Sequence, residues 1–333
     1  MGRNWRLVVR VPPAMYGASD PAAAERTAFR RAEKQYKLYK QTNLKGRQGP
    51  EGGGGDLSAV VDFHALLASD GELPTGIGRC DCAGFDRPVF CFLDRPGFYF
   101  IPGALATEEQ CYWIRESLET FPQPPNRTNL TAIYGSISYL LIAAKNQKIL
   151  VEVENPEVQE RNEQNNCSRI TQFKNFKFVE DSEIQKGEEC MSTAATTLVR
   201  KLRWSTLGLQ FDWSKRNYDV SLPHNKIPDP LASLAKKMAS LAMPPGEEFK
   251  PEAAIVNYYG PSDMLGGHVD DMEIDWTKPI TRDEVPTAMF LRSGDILMMA
   301  GEARECFHGV PRIFIDSDQQ ELSELNSRIN INI

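Results

Sequence analysis

The spacing of the apolar positions changes along this chain, from mostly helical before residue 241 to strand-like in the last third. Residues 20–42 hold good helix formers at Ala22 to Ala24, and Phe29, Ala32 and Tyr36 recur at helical spacing, which predicts a helix. Pro96-Gly97-Phe98-Tyr99-Phe100-Ile101-Pro102 reads as a short buried strand between prolines. Thr107 then opens a helix, with Gln110 completing a capping box and Cys111, Ile114, Leu118 and Phe121 forming the apolar face. Pro122, Pro124 and Pro125 end it. Folded character returns over 198–210, and residues 227–241 predict a helix entered through Pro230, with Leu231, Leu234, Met238 and Leu241 as its core stripe. Beyond it, residues 254–259, 287–291, 295–299 and 329–333 are short β-rich runs separated by Gly, Pro and Asp. They predict a small antiparallel barrel or sandwich preceded by helices. The final run, Ile329-Asn330-Ile331-Asn332-Ile333, alternates strictly and reads as a half-buried strand.

Two stretches interrupt this order. Residues 45–56, with Gly52 to Gly55, read as a flexible linker, and 152–189 as a polar, largely irregular insertion. The expected organisation is a basic N-terminal extension over 1–50, a linker and further extension over 51–95, and one domain over 96–333 carrying the insertion at about 152–190.

Charge localises rather than classifies. The net charge of −7 gives no argument for a nucleic-acid partner, so such a partner would need a local basic surface. Residues 1–47 supply one, with eleven Lys and Arg against three acids. A basic tail or surface helix is favoured over an organellar leader, because Ser is scarce there. The seven cysteines have no repeating spacing; Cys80, Cys82 and Cys91 lack the paired spacing of structural zinc sites, so free buried thiols are expected. No apolar run approaches a membrane span, and an intracellular location is expected, in nucleus or cytoplasm with an organelle open.

The sharpest chemistry lies at His268-Val269-Asp270 and His308. One residue apart on an extended segment, His268 and Asp270 project to the same side and can share a metal. A His from a distant strand completes two imidazoles and one carboxylate. That set occupies one face of an octahedral ion and leaves three positions open, as in non-haem Fe(II) oxygenases. The chain has only four His, and two fall in this pattern; His64 and His224 lack such a setting and are expected to be structural or surface residues.

Several spaced motifs stand around these ligands: Asn257-Tyr258-Tyr259-Gly260, His268-Val269-Asp270, Ser293-Gly294-Asp295, His308-Gly309-Val310 and Arg328-Ile329-Asn330. In this order they resemble the AlkB family of Fe(II)/2-oxoglutarate dioxygenases, in the plant-like version of its first eukaryotic branch. The resemblance runs from about Pro96 to the C-terminus. It implies an α+β fold: a double-stranded β-helix (jelly-roll) barrel with N-terminal helices. It also implies His268, Asp270 and His308 as iron ligands, Asn257 and Tyr259 at 2-oxoglutarate, and Arg328 on its distal carboxylate with Asn330 beside it. Arg is the side chain able to grip a carboxylate in a dry pocket through two charge-assisted bonds. The implied reaction couples decarboxylation of 2-oxoglutarate to succinate with hydroxylation of an N-methyl group, which leaves as formaldehyde.

Between Trp204 and Tyr218 aromatic residues alternate with Lys and Arg. On the residues alone, a base-stacking platform and a core strand with a solvated turn weigh about equally. The resemblance favours the former, with Leu209, Gln210, Phe211, Asp212 and Trp213 facing the substrate. That substrate is a methylated base in DNA or transfer RNA, single-stranded or flipped from its stack. Two departures from the family pattern stand out. A strand with a Ser-Leu-Gly-like turn is missing at the Ile280-Thr281 junction, and the second Arg expected six residues after Arg328 would fall at position 334. Two functions are therefore weighed: an iron-dependent demethylase of N-methylated bases, and a truncated, catalytically impaired chain acting as a nucleic-acid-binding protein.

Overall fold

The computed structural model describes residues 27–37, 57–69, 72–80, 84–153, 175–183, 192–212, 217–260, 263–270, 285–314 and 328–333. Its organising strand is β10 (Ala253–Tyr259), which pairs antiparallel with β14 (Arg328–Asn332) on one side and β7 (Trp204–Gly208) on the other. Alternation gives this sheet two characters. Ala254, Val256 and Tyr258 point into the main core among Trp113, Phe121, Leu130, Leu198, Leu207 and Leu231, with Ile329 and Ile331 packed beside them. The opposite face of β10 and β14 carries Asn257, Tyr259, Arg328 and Asn330.

The helices behind the apolar face are α3 (Thr107–Glu119), α5 (Leu140–Lys145), α6 (Ala195–Lys201) and α7 (Asp229–Ala239), with the single turn α4 (Thr131–Tyr134) between the first two. In α3 the N-cap is Ala106 rather than a residue before a Thr-led box: the Glu109 carboxylate accepts the Ala106 N–H at 3.0 Å, while Gln110 donates to the Leu105 carbonyl. Trp113 and Ser117 are its buried positions; Cys111, Ile114 and Leu118 are only half-buried. In α7 the buried pair is Leu231 and Ala235, and Pro230 sits in the first turn as expected.

A second sheet runs β1 (Ile77–Cys80), β2 (Val89–Phe92), β3 (Phe98–Ile101) and β12 (Ile296–Met299). Its core is aromatic. Phe63, on helix α2 (Phe63–Ala68), stacks on Phe100 with centroids 4.4 Å apart and meets Phe90 at 5.0 Å. Polar clamps seat that helix. Asp62 caps α2 by accepting the N–H groups of His64 and Ala65, and takes both terminal nitrogens of Arg292 at 2.7 Å. His64 bonds the buried Asp295 at 2.7 Å, the structural role expected of it; His224 is an exposed surface residue.

β11 (Leu265–His268) pairs with β13 (His308–Val310), and β8 (Gln210–Asp212) forms a hairpin with β9 (Asn217–Asp219). The remaining sheet runs β5 (Asn175–Val179), β4 (Ile149–Val153) and β6 (Ser192–Ala194), so part of the polar insertion is an ordered strand rather than irregular. Pairing with the apolar Ile149–Val153 run supplies the backbone partners its own sequence does not advertise. Residues 287–291 depart from expectation the other way: only Met289 pairs, in a parallel bridge to Val61. This mixture of helices and antiparallel sheets agrees with the expected jelly-roll. Among the described residues β12 and β14 each end a sheet. The Ile280-Thr281 junction, the 45–56 linker and Trp213 lie outside the described residues.

Candidate metal centre

The β11–β13 pairing aligns His268 directly opposite His308, so two residues forty apart in sequence become cross-strand neighbours with ring centroids 4.3 Å apart. Asp270, two residues past His268, lies between them: one carboxylate oxygen is 3.8 Å from His268 Nε2 and the other 3.7 Å from His308 Nε2. These separations are too long for hydrogen bonds. The three groups therefore surround a gap, and one ligand atom from each lies within 4.8 Å of the others.

Both imidazoles are oriented alike. His268 Nδ1 bonds the Gly266 carbonyl at 2.9 Å and His308 Nδ1 bonds the Cys306 carbonyl at 3.2 Å. A carbonyl only accepts, so each Nδ1 carries the proton and each Nε2 lone pair is free to face the gap. Burial, helped by the neighbouring His268 and opposed by Asp270, holds the His308 pKa below the ordinary imidazole value, which favours the neutral, metal-ligating form. The side chains of His268, Asp270 and His308 keep 35%, 47% and 32% of their exposure, so the far side of the gap is open to incoming ligands.

A second group of expected residues lies on the polar face of β10 and β14. Asn257 is opposite Asn330 and Tyr259 opposite Arg328, so all four expected co-substrate residues share one face of one antiparallel pair. Two of them have unmet needs. The Tyr259 hydroxyl is buried with no hydrogen-bond partner among the described residues. The Arg328 guanidinium lies over the Tyr259 ring at 5.8 Å, and burial pulls its pKa below the usual value. Among the described residues no carboxylate pairs with it. A half-buried cation and a buried orphan hydroxyl on one face fit an anionic, oxygen-rich ligand, as 2-oxoglutarate is. Two imidazoles and a carboxylate fit Fe(II) equally well.

The expected substrate segment divides. Gly208, at φ +69°, bends β7 into β8; a Cβ there would lie 2.1 Å from the Glu252 carbonyl, so only glycine allows the kink. Gln210 is buried and its amide donates to the Pro125 and Pro223 carbonyls, so its hydrogen bonds are used within the fold. Leu209, Phe211 and Asp212 are half-buried. Phe211 meets Tyr218 edge-to-face at 5.4 Å across the hairpin. Burial, and then the Asp270 carboxylate, raises the Tyr218 pKa, so this phenol lies within electrostatic reach of the metal cluster. Tyr218 stood outside the expected substrate set. It was, however, the far end of the stretch read as a stacking platform, and the hairpin register places it beside Phe211.

A model of the 2OG-Fe(II) oxygenase superfamily matches residues 155–333. The chain is 51% identical to the DNA N(6)-methyladenine demethylase ALKBH1A of Arabidopsis thaliana, over 92% of this chain and 90% of that protein. It is 28% identical to the nucleic acid dioxygenase ALKBH1 of Homo sapiens, over 89% of this chain and 72% of that protein. The tRNA demethylase abh1 of Schizosaccharomyces pombe is 27% identical, over 92% and 94% of the two chains.

Proposed function

Because the chain belongs to the AlkB family of 2OG-Fe(II) oxygenases, we propose that it oxidatively removes methyl groups from nitrogen atoms of nucleic-acid bases. The observation that carries this reading is the His268–Asp270–His308 gap, with both Nε2 atoms free and Asp270 midway between them. Iron(II) held there supplies the oxygen activation that a C–H bond of a methyl group requires.

This chain's own residues bind, orient and exclude. Arg328 grips the distal carboxylate of 2-oxoglutarate, with Asn330 beside it, and Asn257 and the Tyr259 hydroxyl take up co-substrate oxygens. The two imidazoles stay neutral while their Nδ1–H groups are held by backbone carbonyls. On the open side Phe211 and Tyr218 offer aromatic faces to an unpaired base, with Leu209 lining the same hairpin and Asp212 at its turn. Gln210 holds the hairpin in place rather than touching substrate. The 51% identity to a DNA N(6)-methyladenine demethylase makes that base, in unpaired DNA, the first substrate to try, with methylated transfer RNA second.

The test is turnover with Fe(II), ascorbate, 2-oxoglutarate and a methylated oligonucleotide, reading succinate and formaldehyde together. His268→Ala is expected to abolish both products while leaving oligonucleotide binding intact. Equal turnover by the variant, or nucleic-acid binding by the wild type with no turnover, would overturn the reading. The second result would favour a binding protein.

A further inference from the structure

Glu33 is an acidic residue buried to 7% exposure, and it sits in helix α1 (Ala28–Tyr36), otherwise a basic segment. Burying a carboxylate is costly unless it is paired and hydrogen-bonded. Glu33 has both: Arg30 pairs with it one turn earlier on the helix, and its Oε1 accepts the backbone N–H of Gly267 at 3.2 Å.

That N–H belongs to the same peptide group as the Gly266 carbonyl, and the Gly266 carbonyl is what holds His268 Nδ1. A single peptide plane thus links the two: Glu33 takes its N–H, and His268 donates to its C=O. Gly266 and Gly267 have no side chains to fix that plane, and glycine leaves both flanking torsions free. The contact from α1 fixes it instead. Phe29, one turn before Glu33, presses on the same spot. A Cβ at residue 267 would lie 2.1 Å from the Phe29 ring, and that ring meets Phe307, the neighbour of His308, at 5.9 Å.

We propose that Glu33 is a positioning residue of the metal centre, acting through the Gly266–Gly267 peptide to orient His268, with Phe29 seating the helix over both ligand strands. Polar groups behind a metal-ligating His fix its ring and tune its basicity, and losing one commonly weakens metal binding ten- to a hundredfold. Hydrogen bonds in series polarise one another, so a carboxylate at the end of this chain makes the imidazole a better donor to the ion. The proposal rests on the iron-centre reading above.

Co(II) titration of the full chain, followed by visible absorption, measures this without turnover. Glu33→Ala, and Glu33→Asp with the carboxylate one methylene too short, are each expected to weaken Co(II) binding at least tenfold. Glu33→Gln, whose amide oxygen still accepts the Gly267 N–H, should stay within about threefold of wild type. The melting temperature of each metal-free variant is measured alongside, and Glu33→Asp serves if Glu33→Ala does not fold. Wild-type affinity in both the Ala and Asp variants would overturn the proposal, as would a Gln variant as weak as Ala. A fall in melting temperature with affinity unchanged would also overturn it. Failure of the wild-type chain itself to bind Co(II) would instead count against the iron centre.

Discussion

Tyr259 is the residue where structure and function pull apart most measurably. Its hydroxyl is buried without a partner, so in the metal-free protein it contributes nothing a phenyl ring would lack. An unsatisfied buried polar group costs roughly 1–3 kcal/mol, so Tyr259→Phe should leave thermal stability unchanged or raise it. The same change should weaken 2-oxoglutarate binding about tenfold, since the hydroxyl is the group left waiting for it. Calorimetric titration beside a melting curve checks both halves; a destabilised variant with unchanged affinity would contradict the assignment. Arg328→Gln is expected to be harsher, weakening 2-oxoglutarate by about a hundredfold, because truncating one partner of a buried charge pair costs a few kcal/mol. The candidate roles of Tyr259 and Arg328 were legible through the order of the motifs and the family they resemble. The engagement of Gln210 was not: its carbonyl partners, Pro125 and Pro223, lie 85 and 13 residues away.

Helix α2 shows how an element with little of its own is held. Six residues long, it is too short to be stable alone, and it is anchored by buried Phe63 beneath and Asp62 at its start. Bonding to Arg292 keeps the Asp62 pKa below the ordinary carboxylate value. A depressed folded-state pKa stabilises the fold above the unfolded value, about 3.9, and that increment is lost as pH falls through the folded pKa. Asp62→Asn should therefore lower the melting temperature at pH 7, by about 1 kcal/mol in stability, and the gap from wild type should narrow as the pH is taken below about 3.9. A gap that stays constant down to pH 3 would show that the carboxylate's charge plays no part. Elements of strong period, α3 and α7, were readable to within a few residues. β5 was not, because a polar strand becomes one only through the partner it finds in β4.

Across the whole molecule the two sides of β10 separate stability from chemistry. Its apolar side joins the main core, and its polar side carries Asn257 and Tyr259 opposite Asn330 and Arg328, so co-substrate binding there should couple to folding through a single sheet. At a hundred times the dissociation constant, a ligand specific for the native state adds about 2.7 kcal/mol. Mn(II) with 2-oxoglutarate is thus expected to raise the melting temperature by several degrees in wild type and much less in Arg328→Gln, read by differential scanning fluorimetry. An equal rise in both proteins would remove Arg328 from the site.

The sequence by itself determined which atoms are available: two imidazoles, one carboxylate and one arginine, in an order that already pointed to an iron oxygenase. Alternation alone also put His268 with Asp270 on one side of an extended segment. The tertiary structure decided what those residues meet. Register set His268 against His308, the Gly208 bend and hairpin brought Tyr218 toward Asp270, and helix α1 reached across 234 residues to fix the peptide behind His268. The reason is physical. Periodicity records which face of an element is buried, whereas hydrogen-bond partners, pairing register and close approach between glycines and rings depend on packing between segments far apart in the chain.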